Sequence, residues 1–291
     1  MTTVSGVITA MVTPFKDDGA VDVDAGRGLA RYLIEHGSHG VVVNGTTGES
    51  PTTDDQEKLE LLRAVIDEIG EEATVIAGSG SNDTAHSVEL TAAVTDAGAD
   101  AVLAVTPYYN NPNPAGIHAH FSAVAAATEL PLILYNIPSR SVVNMEPALM
   151  AKLAADVENI VAVKQANSDQ LQPIDGLDLL AGNDDVFLQC LEMGGSGGIL
   201  VASHVVGPQM REVYDAVLDE NLDRARSVDE ELRETYAMCG VTTNPIPVKT
   251  ALGMLGVTSA RMRLPLVEAD TAQQETIRTA LERRGLLATS A

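Results

Sequence analysis

Apolar positions in this chain fall in short unbroken runs rather than in strict polar and apolar alternation. The runs cover residues 6–10, 40–43, 74–77, 101–105, 132–135, 160–163, 177–181 and 198–202. Aliphatic and β-branched runs of this length suit parallel strands covered on both faces, because a strand with one wet face would alternate. Between them the apolar residues take helical spacing. Thr53 precedes Gln56 by three residues just before EKLELLRAVIDEIG, which predicts a capping box and a helix that stops at Gly70. Residues 82–98, 114–129 and 146–156 repeat the plan of a capped start followed by an apolar stripe.

Eight strands alternating with helices predict an α/β fold, a closed (β/α)8 TIM barrel. An open doubly wound sheet would usually carry a nucleotide loop, and neither GxGxxG after a strand nor GxxxxGK[ST] occurs. After Gly207 the strand runs stop and the chain reads helical to its end. The expected organisation is therefore a catalytic barrel over residues 1–207 and a C-terminal helical extension over 208–291. Only 13 residues separate the sixth run from the seventh, with PIDG among them, so the sixth crossover helix must be very short.

Charge narrows the partners. The net charge of −23, from 41 acidic against 18 basic residues in 291, repels polyphosphates and makes nucleic acid or an anionic membrane surface a poor match. Salt should screen the mutual repulsion of these carboxylates. Two cysteines, Cys190 and Cys239, form no CxxC pair or disulfide framework. No signal-like segment opens the chain and no apolar run reaches membrane-spanning length, so a cytoplasmic protein is expected.

In such barrels the chemistry gathers at the C-terminal ends of strands. Lys164 closes the run IVAVK and is one of five lysines. It reads either as a strand-end lysine snorkelling to water or as an amine that desolvation makes easier to deprotonate, able to form a Schiff base with a carbonyl. Tyr135 and Arg140, in LILYNIPSR, end the preceding strand. A phenol can pass protons and a guanidinium can clamp a carboxylate, although a buried tyrosine and a surface ion pair are the plainer readings. Gly45-Thr46-Thr47-Gly48-Glu49 follows the second strand, where turning glycines and hydroxyls suit an anion or merely a turn. Tyr108 and Tyr109 follow the fourth strand and read as loop packing or interface anchors. The prolines of NPIPVK, residues 244–249, suit a helix start, and no chemistry is assigned to them.

Other motifs fail. Gly194-Gly195-Ser196-Gly197-Gly198 satisfies GxSxG but leads into a strand, whereas a hydrolase elbow sits between strand and helix. His118 and His120 fall on different helix faces and read as surface histidines rather than metal ligands. No metal site and no cofactor are expected.

GTTGES (45–50), TPYYN (106–110), LYNIPSR (134–140), AVK (162–164), NPIPVK (244–249) and RLPL (263–266) together resemble the dihydrodipicolinate synthase family, in order and over nearly the whole chain. The resemblance implies a class I aldolase-type lyase acting on pyruvate and aspartate semialdehyde in lysine and diaminopimelate biosynthesis. It implies that Lys164 forms the imine and that Tyr135 relays protons through Thr47 and Tyr109, with Tyr109 donated across a dimer interface. By the same likeness Thr46 and Thr47 hold the pyruvate carboxylate, Arg140 binds the second substrate, and Gly182 and Ile199 line the pocket with backbone carbonyls. The implied assembly is a homotetramer built from two dimers.

Departures from the family pattern leave other readings open. Gln165 follows the lysine where an acidic residue is common, and Ser141-Val142 replaces the usual Thr-Gly after Arg140. Ser50, Asn82 and Tyr108 match the positions that bind a lysine effector, but the effector-binding glutamate position reads His86, which argues against feedback. The alternatives are another pyruvate-dependent aldolase or dehydratase, a catalytically silent ligand-binding barrel, and a metal-dependent barrel hydrolase.

Overall fold

The computed structural model describes residues 4–288. Eight parallel strands close into a barrel in sequence order: β1 (Gly6–Ala10), β2 (Gly40–Val43), β3 (Thr74–Gly78), β4 (Ala101–Val105), β5 (Leu132–Asn136), β6 (Ile160–Gln165), β7 (Asp178–Ala181) and β8 (Gly197–Leu200). β8 pairs back onto β1 with Ile8 opposite Ile199, so no strand edge is left open. The helices are α1 (Val23–Glu35), α2 (Asp55–Ile69), α3 (Thr84–Asp96), α4 (Pro114–Ala125), α5 (Pro138–Ser141), α6 (Pro147–Asp156), α7 (Phe187–Glu192), α8 (Ser203–Leu218), α9 (Leu222–Cys239), α10 (Ile246–Met254) and α11 (Thr271–Arg283). Among the described residues, no helix is long and apolar enough to cross a membrane.

Two buried layers follow from the strand period of two. Ile8, Val42, Ile76, Leu103, Ile133, Ala162, Leu180 and Ile199 pack together inside the barrel. Alternate residues, such as Val41, Val75 and Val102, face out against Leu29, Leu33, Leu61 and Leu62 of α1 and α2. The C-terminal helices share these layers, since Val248 and Leu252 of α10 lie in the same cluster as Leu61 and Val41. Residue 207, where the sequence suggests the barrel gives way to the extension, lies inside α8, next to a break in helical geometry at Val206.

Between β6 and β7 the crossover is a single 3-10 turn, Ser168–Gln170, and a bridge from Ile174 to Leu177, in line with the short spacing. The capping box of α2 is one residue later than the sequence suggests. Asp54, not Thr53, accepts from the Glu57 amide at 2.9 Å while Glu57 accepts from the Asp54 amide at 3.1 Å. A carboxylate at the positive end of a helix outdoes a hydroxyl there.

Two histidines are core residues. His120 is buried, contrary to the surface placement expected, because it lies on the apolar stripe of α4 with Ile117, Phe121 and Val124, and its Nδ1 meets Thr84 Oγ1 at 2.9 Å. His204 is 1 % exposed, accepts from the Val12 amide through Nε2 at 3.2 Å and lies 2.8 Å from Val201 O through Nδ1. Burial lowers its pKa from 6.5 to about 4. The folded state thus refuses a proton that the unfolded state accepts. Stability from this group is full above pH 6.5 and is lost as pH falls towards 4, a loss of about 3 kcal/mol. Denaturant melts across that window should show the slope, and His204→Gln should flatten it; an unchanged slope would contradict this account.

Candidate active site

Lys164 lies within β6, one residue before its end, and shares a face with Ala162, which points into the barrel. It is 5 % exposed, and the ladder sets it directly opposite Tyr135 of β5. The Lys164 Nζ lies 4.2 Å from the Tyr135 ring centroid. Two further lysines are buried. Lys249 Nζ is held by Glu49 Oε1 at 2.6 Å and Lys58 Nζ by Asp55 Oδ1 at 3.3 Å. Lys164 alone of the three has no carboxylate within ion-pair distance among the described residues. The two paired amines are already tied to a carboxylate, which leaves Lys164 as the buried amine able to turn towards a carbonyl carbon.

The loop after β2 supplies donors. The amides of Thr46 and Thr47 make no backbone hydrogen bond, while those of Gly48, Glu49 and Ser50 fold back onto Gly45 and Thr46. Two free N–H groups beside two hydroxyls form a site for a carboxylate. The turn is not made by its glycines, as the sequence suggests. Asn44 at φ 60° and Glu49 at φ 55° take the left-handed conformations that flank it. Such strain in non-glycine residues needs anchoring. Asn44 Nδ2 donates to Lys58 O at 3.0 Å. Glu49 is gripped by Lys249 Nζ and, through Oε2, by the Arg263 amide at 3.0 Å. Lys249 Nζ also donates to Thr13 O at 2.9 Å, and burial lowers its pKa against the pull of Glu49.

A cavity of about 650 Å³ opens beside these groups, lined by Thr46, Tyr135 and Arg140 and continuing past Tyr108 to Lys58 and His86. Arg140 is exposed and bonds no carboxylate; its Nη2 donates to Asn244 O at 3.1 Å. Its side chain is thus partly tethered but keeps donors for an anion. Val142, which ends α5, adopts φ 64° and is 78 % exposed, so a position whose left-handed backbone suits glycine here holds a strained valine at the surface. His86 Nε2 lies 2.8 Å from Asp55 Oδ2, joining Lys58 in one charged cluster.

The structure brings Lys164 and Tyr135 together and sets Thr46, Tyr135 and Arg140 on one cavity. Thr47 is buried, and its Oγ1 meets Asn244 Nδ2 at 2.9 Å rather than the Tyr135 phenol. Tyr109 is 91 % exposed with φ 73° and touches none of these groups within the chain. Ile199 is fully buried inside the barrel. Gly182 follows β7, where a Cβ would come within 2.7 Å of Gln165 O, so only glycine fits that close approach. Sequence reasoning missed Asn244, Lys249 and Glu49. Its one available signal was a lysine inside the apolar helix IPVKTALGM of a lysine-poor chain. Asp184 was also missed; its Oδ1 accepts from Val201 N at 2.9 Å and Ala202 N at 3.0 Å and so fixes the chain as it leaves β8. Among the described residues no group of three or more His, Cys, Asp or Glu is placed to hold a metal ion.

A closed barrel with an unpaired amine on the sixth strand, a phenol beside it and anion donors at the mouth defines a lyase of the class I aldolase type. The chain is 44% identical over 289 residues to the 4-hydroxy-tetrahydrodipicolinate synthase of Desulforamulus reducens, covering 97% of each. It is 46% identical to that of Symbiobacterium thermophilum, covering 99% of this chain and 100% of the relative. The crystal structure of dihydrodipicolinate synthase from Aquifex aeolicus superposes with a TM-score of 0.94 at 37% identity, covering 98% of this chain and 100% of that one. The chain belongs to the dihydrodipicolinate synthetase family, which it matches over residues 3–284.

Proposed function

We propose that this protein is a 4-hydroxy-tetrahydrodipicolinate synthase that condenses pyruvate with aspartate semialdehyde on Lys164. The observation that carries the chemistry is the buried, carboxylate-free Nζ of Lys164 lying 4.2 Å from the Tyr135 ring. Lys164 adds to the pyruvate carbonyl and, with loss of water, forms the imine. A methyl proton then leaves to give the enamine, whose carbon attacks the aldehyde. The amine of the second substrate adds to the imine carbon and expels Lys164, which closes the ring and frees the enzyme. These steps are redox-neutral. Tyr135 passes protons, with Thr47 and the Tyr109 of a neighbouring copy completing the relay. The free amides and hydroxyls of Thr46 and Thr47 hold the pyruvate carboxylate, and the carbonyls of Gly182 and Ile199 face the bound substrate.

The deciding experiment is incubation with pyruvate and borohydride, followed by a coupled assay with aspartate semialdehyde. A mass increase on Lys164 together with product formation supports the reading. Arg140 carries the assignment of the second substrate, since its guanidinium suits a carboxylate. Arg140→Ala should leave pyruvate trapping intact and raise KM for aspartate semialdehyde by roughly 10- to 100-fold, the loss of a bidentate charged contact. Unchanged kinetics would remove the assignment of the second substrate. We further propose a cytoplasmic homotetramer of two dimers. The exposed, left-handed Tyr109 supports at least a pairwise assembly, because a large aromatic side chain left 91 % exposed by its own chain is suited to packing against a second copy.

A further inference from the structure

The residues that follow Tyr135 and Lys164 form a second pair. Tyr135 and Lys164 face into the barrel with Ile133 and Ala162, whereas Asn136 and Gln165, one position on, alternate with Leu134 and Val163 and face the helical layer. Asn136 lies opposite Gln165 in the ladder, and both are fully buried. Asn136 Nδ2 donates to Gln165 Oε1 at 3.0 Å. The same Oε1 accepts from the Asn167 amide at 3.1 Å, and Asn136 Oδ1 accepts from the Met145 amide at 3.0 Å. The cross-strand bond is thus anchored on one side to the loop after β6 and on the other to the chain that enters α6.

Pairing between β5 and β6 slips near its start. Leu132 lies opposite Ile160 but Ile133 lies opposite Ala162, so Val161 has no partner. Without that extra residue Val163 would lie opposite Tyr135 and Lys164 opposite Asn136, and a slip of one residue turns each following side chain to the other face. Lys164 would then leave the barrel interior. Backbone and aliphatic residues do not choose between the two registers. Parallel ladder bonds are evenly spaced, and Ile160-Val161-Ala162-Val163 is apolar at every position, so both faces of the run stay apolar in either register. The amide pair does discriminate, because Asn136 lies opposite Gln165 only in the observed one. We infer that the Asn136–Gln165 bond is a positioning device that holds this register and with it the Lys164 amine beside the Tyr135 ring. The inference rests on the proposed function and adds to it what keeps the nucleophile turned inwards. Both amides act through Lys164 and face away from the reacting groups.

The test follows capture of pyruvate by the full-length enzyme, with borohydride added at timed intervals and the adduct on Lys164 read by mass. Gln165→Leu removes the acceptor and Asn136→Leu the donor. Each should slow capture at saturating pyruvate by roughly 10- to 100-fold, the scale set by about 1 Å of misplacement in a reacting group. The pyruvate concentration that gives half the maximal rate should change little, because the loop after β2 that holds the carboxylate is untouched. The double leucine variant should be no slower than either single one, since both break the same bond. Gln165→Glu keeps an oxygen for the Asn136 and Asn167 donors and gives up only the 3.4 Å contact of Nε2 with Gln170 O, so it should restore most of the rate. Leucine variants that capture pyruvate at the wild-type rate overturn the inference, and so does a glutamate variant as slow as the leucine ones. A loss that merely follows the unfolded fraction in thermal melts also overturns it and makes the pair structural. A wild-type enzyme that traps no pyruvate overturns the proposed function and this inference with it.

Discussion

Replacing Lys164 with alanine is expected to abolish covalent capture of pyruvate under borohydride and to lower turnover with aspartate semialdehyde by roughly 10⁴-fold or more, because the nucleophile of a covalent mechanism has no substitute. The protein should still fold. Lys164 lies in no ion pair, and the aliphatic residues around it close most of the barrel interior without help from its charge. Mass spectrometry of the trapped wild-type and variant proteins reads the first effect, and a coupled assay the second. If the alanine variant still gained the pyruvate adduct, another amine would have to be the nucleophile. Lys249 is the alternative on burial alone, but its Nζ is already shared between Glu49 at 2.6 Å and Thr13 O at 2.9 Å.

Breaking that second lysine's pair should have the largest effect on stability. Lys249→Met leaves the Glu49 carboxylate, 1 % exposed in its side chain, without its cation. An uncompensated buried charge costs about 3–5 kcal/mol, which for a chain of this size lowers the melting temperature by roughly 10 °C. The double variant Glu49→Gln, Lys249→Met should recover most of the loss, because replacing both ions by neutral groups removes the desolvation penalty as well as the attraction. Thermal melts of the three proteins decide it. A single variant that melts with the wild type would mean that water or Arg263 already neutralises Glu49.

The barrel was legible because strands covered on both faces have no polar alternation to disguise them. Their ends were less so. The runs stop at residues 77, 135 and 163, but the ladders continue through Gly78, Asn136 and Gln165, since polar side chains are tolerated where strands open into the mouth. Lys164 was found by its place after an aliphatic run, and its partnership with Tyr135 follows from register between adjacent strands. His120 was misplaced even though its spacing from Ile117, Phe121 and Val124 puts it on the buried stripe, because histidine is treated by habit as a surface residue. The contacts from Asn244 to Thr47 and from Lys249 to Glu49 span 197 and 200 residues and have no local signature. A pattern read along the chain finds elements; it does not find which distant turns they will clasp.

The path of the C-terminal segment across the mouth has a consequence for rebuilding this enzyme. Asn244, Lys249 and Arg263 each bond to residues between Thr47 and Glu57, so the tail of the chain and the second loop form a single mechanical piece. A chimera that borrows the loop from a cousin with different taste in aldehydes must import the matching tail as well, or the graft will arrive without its brace.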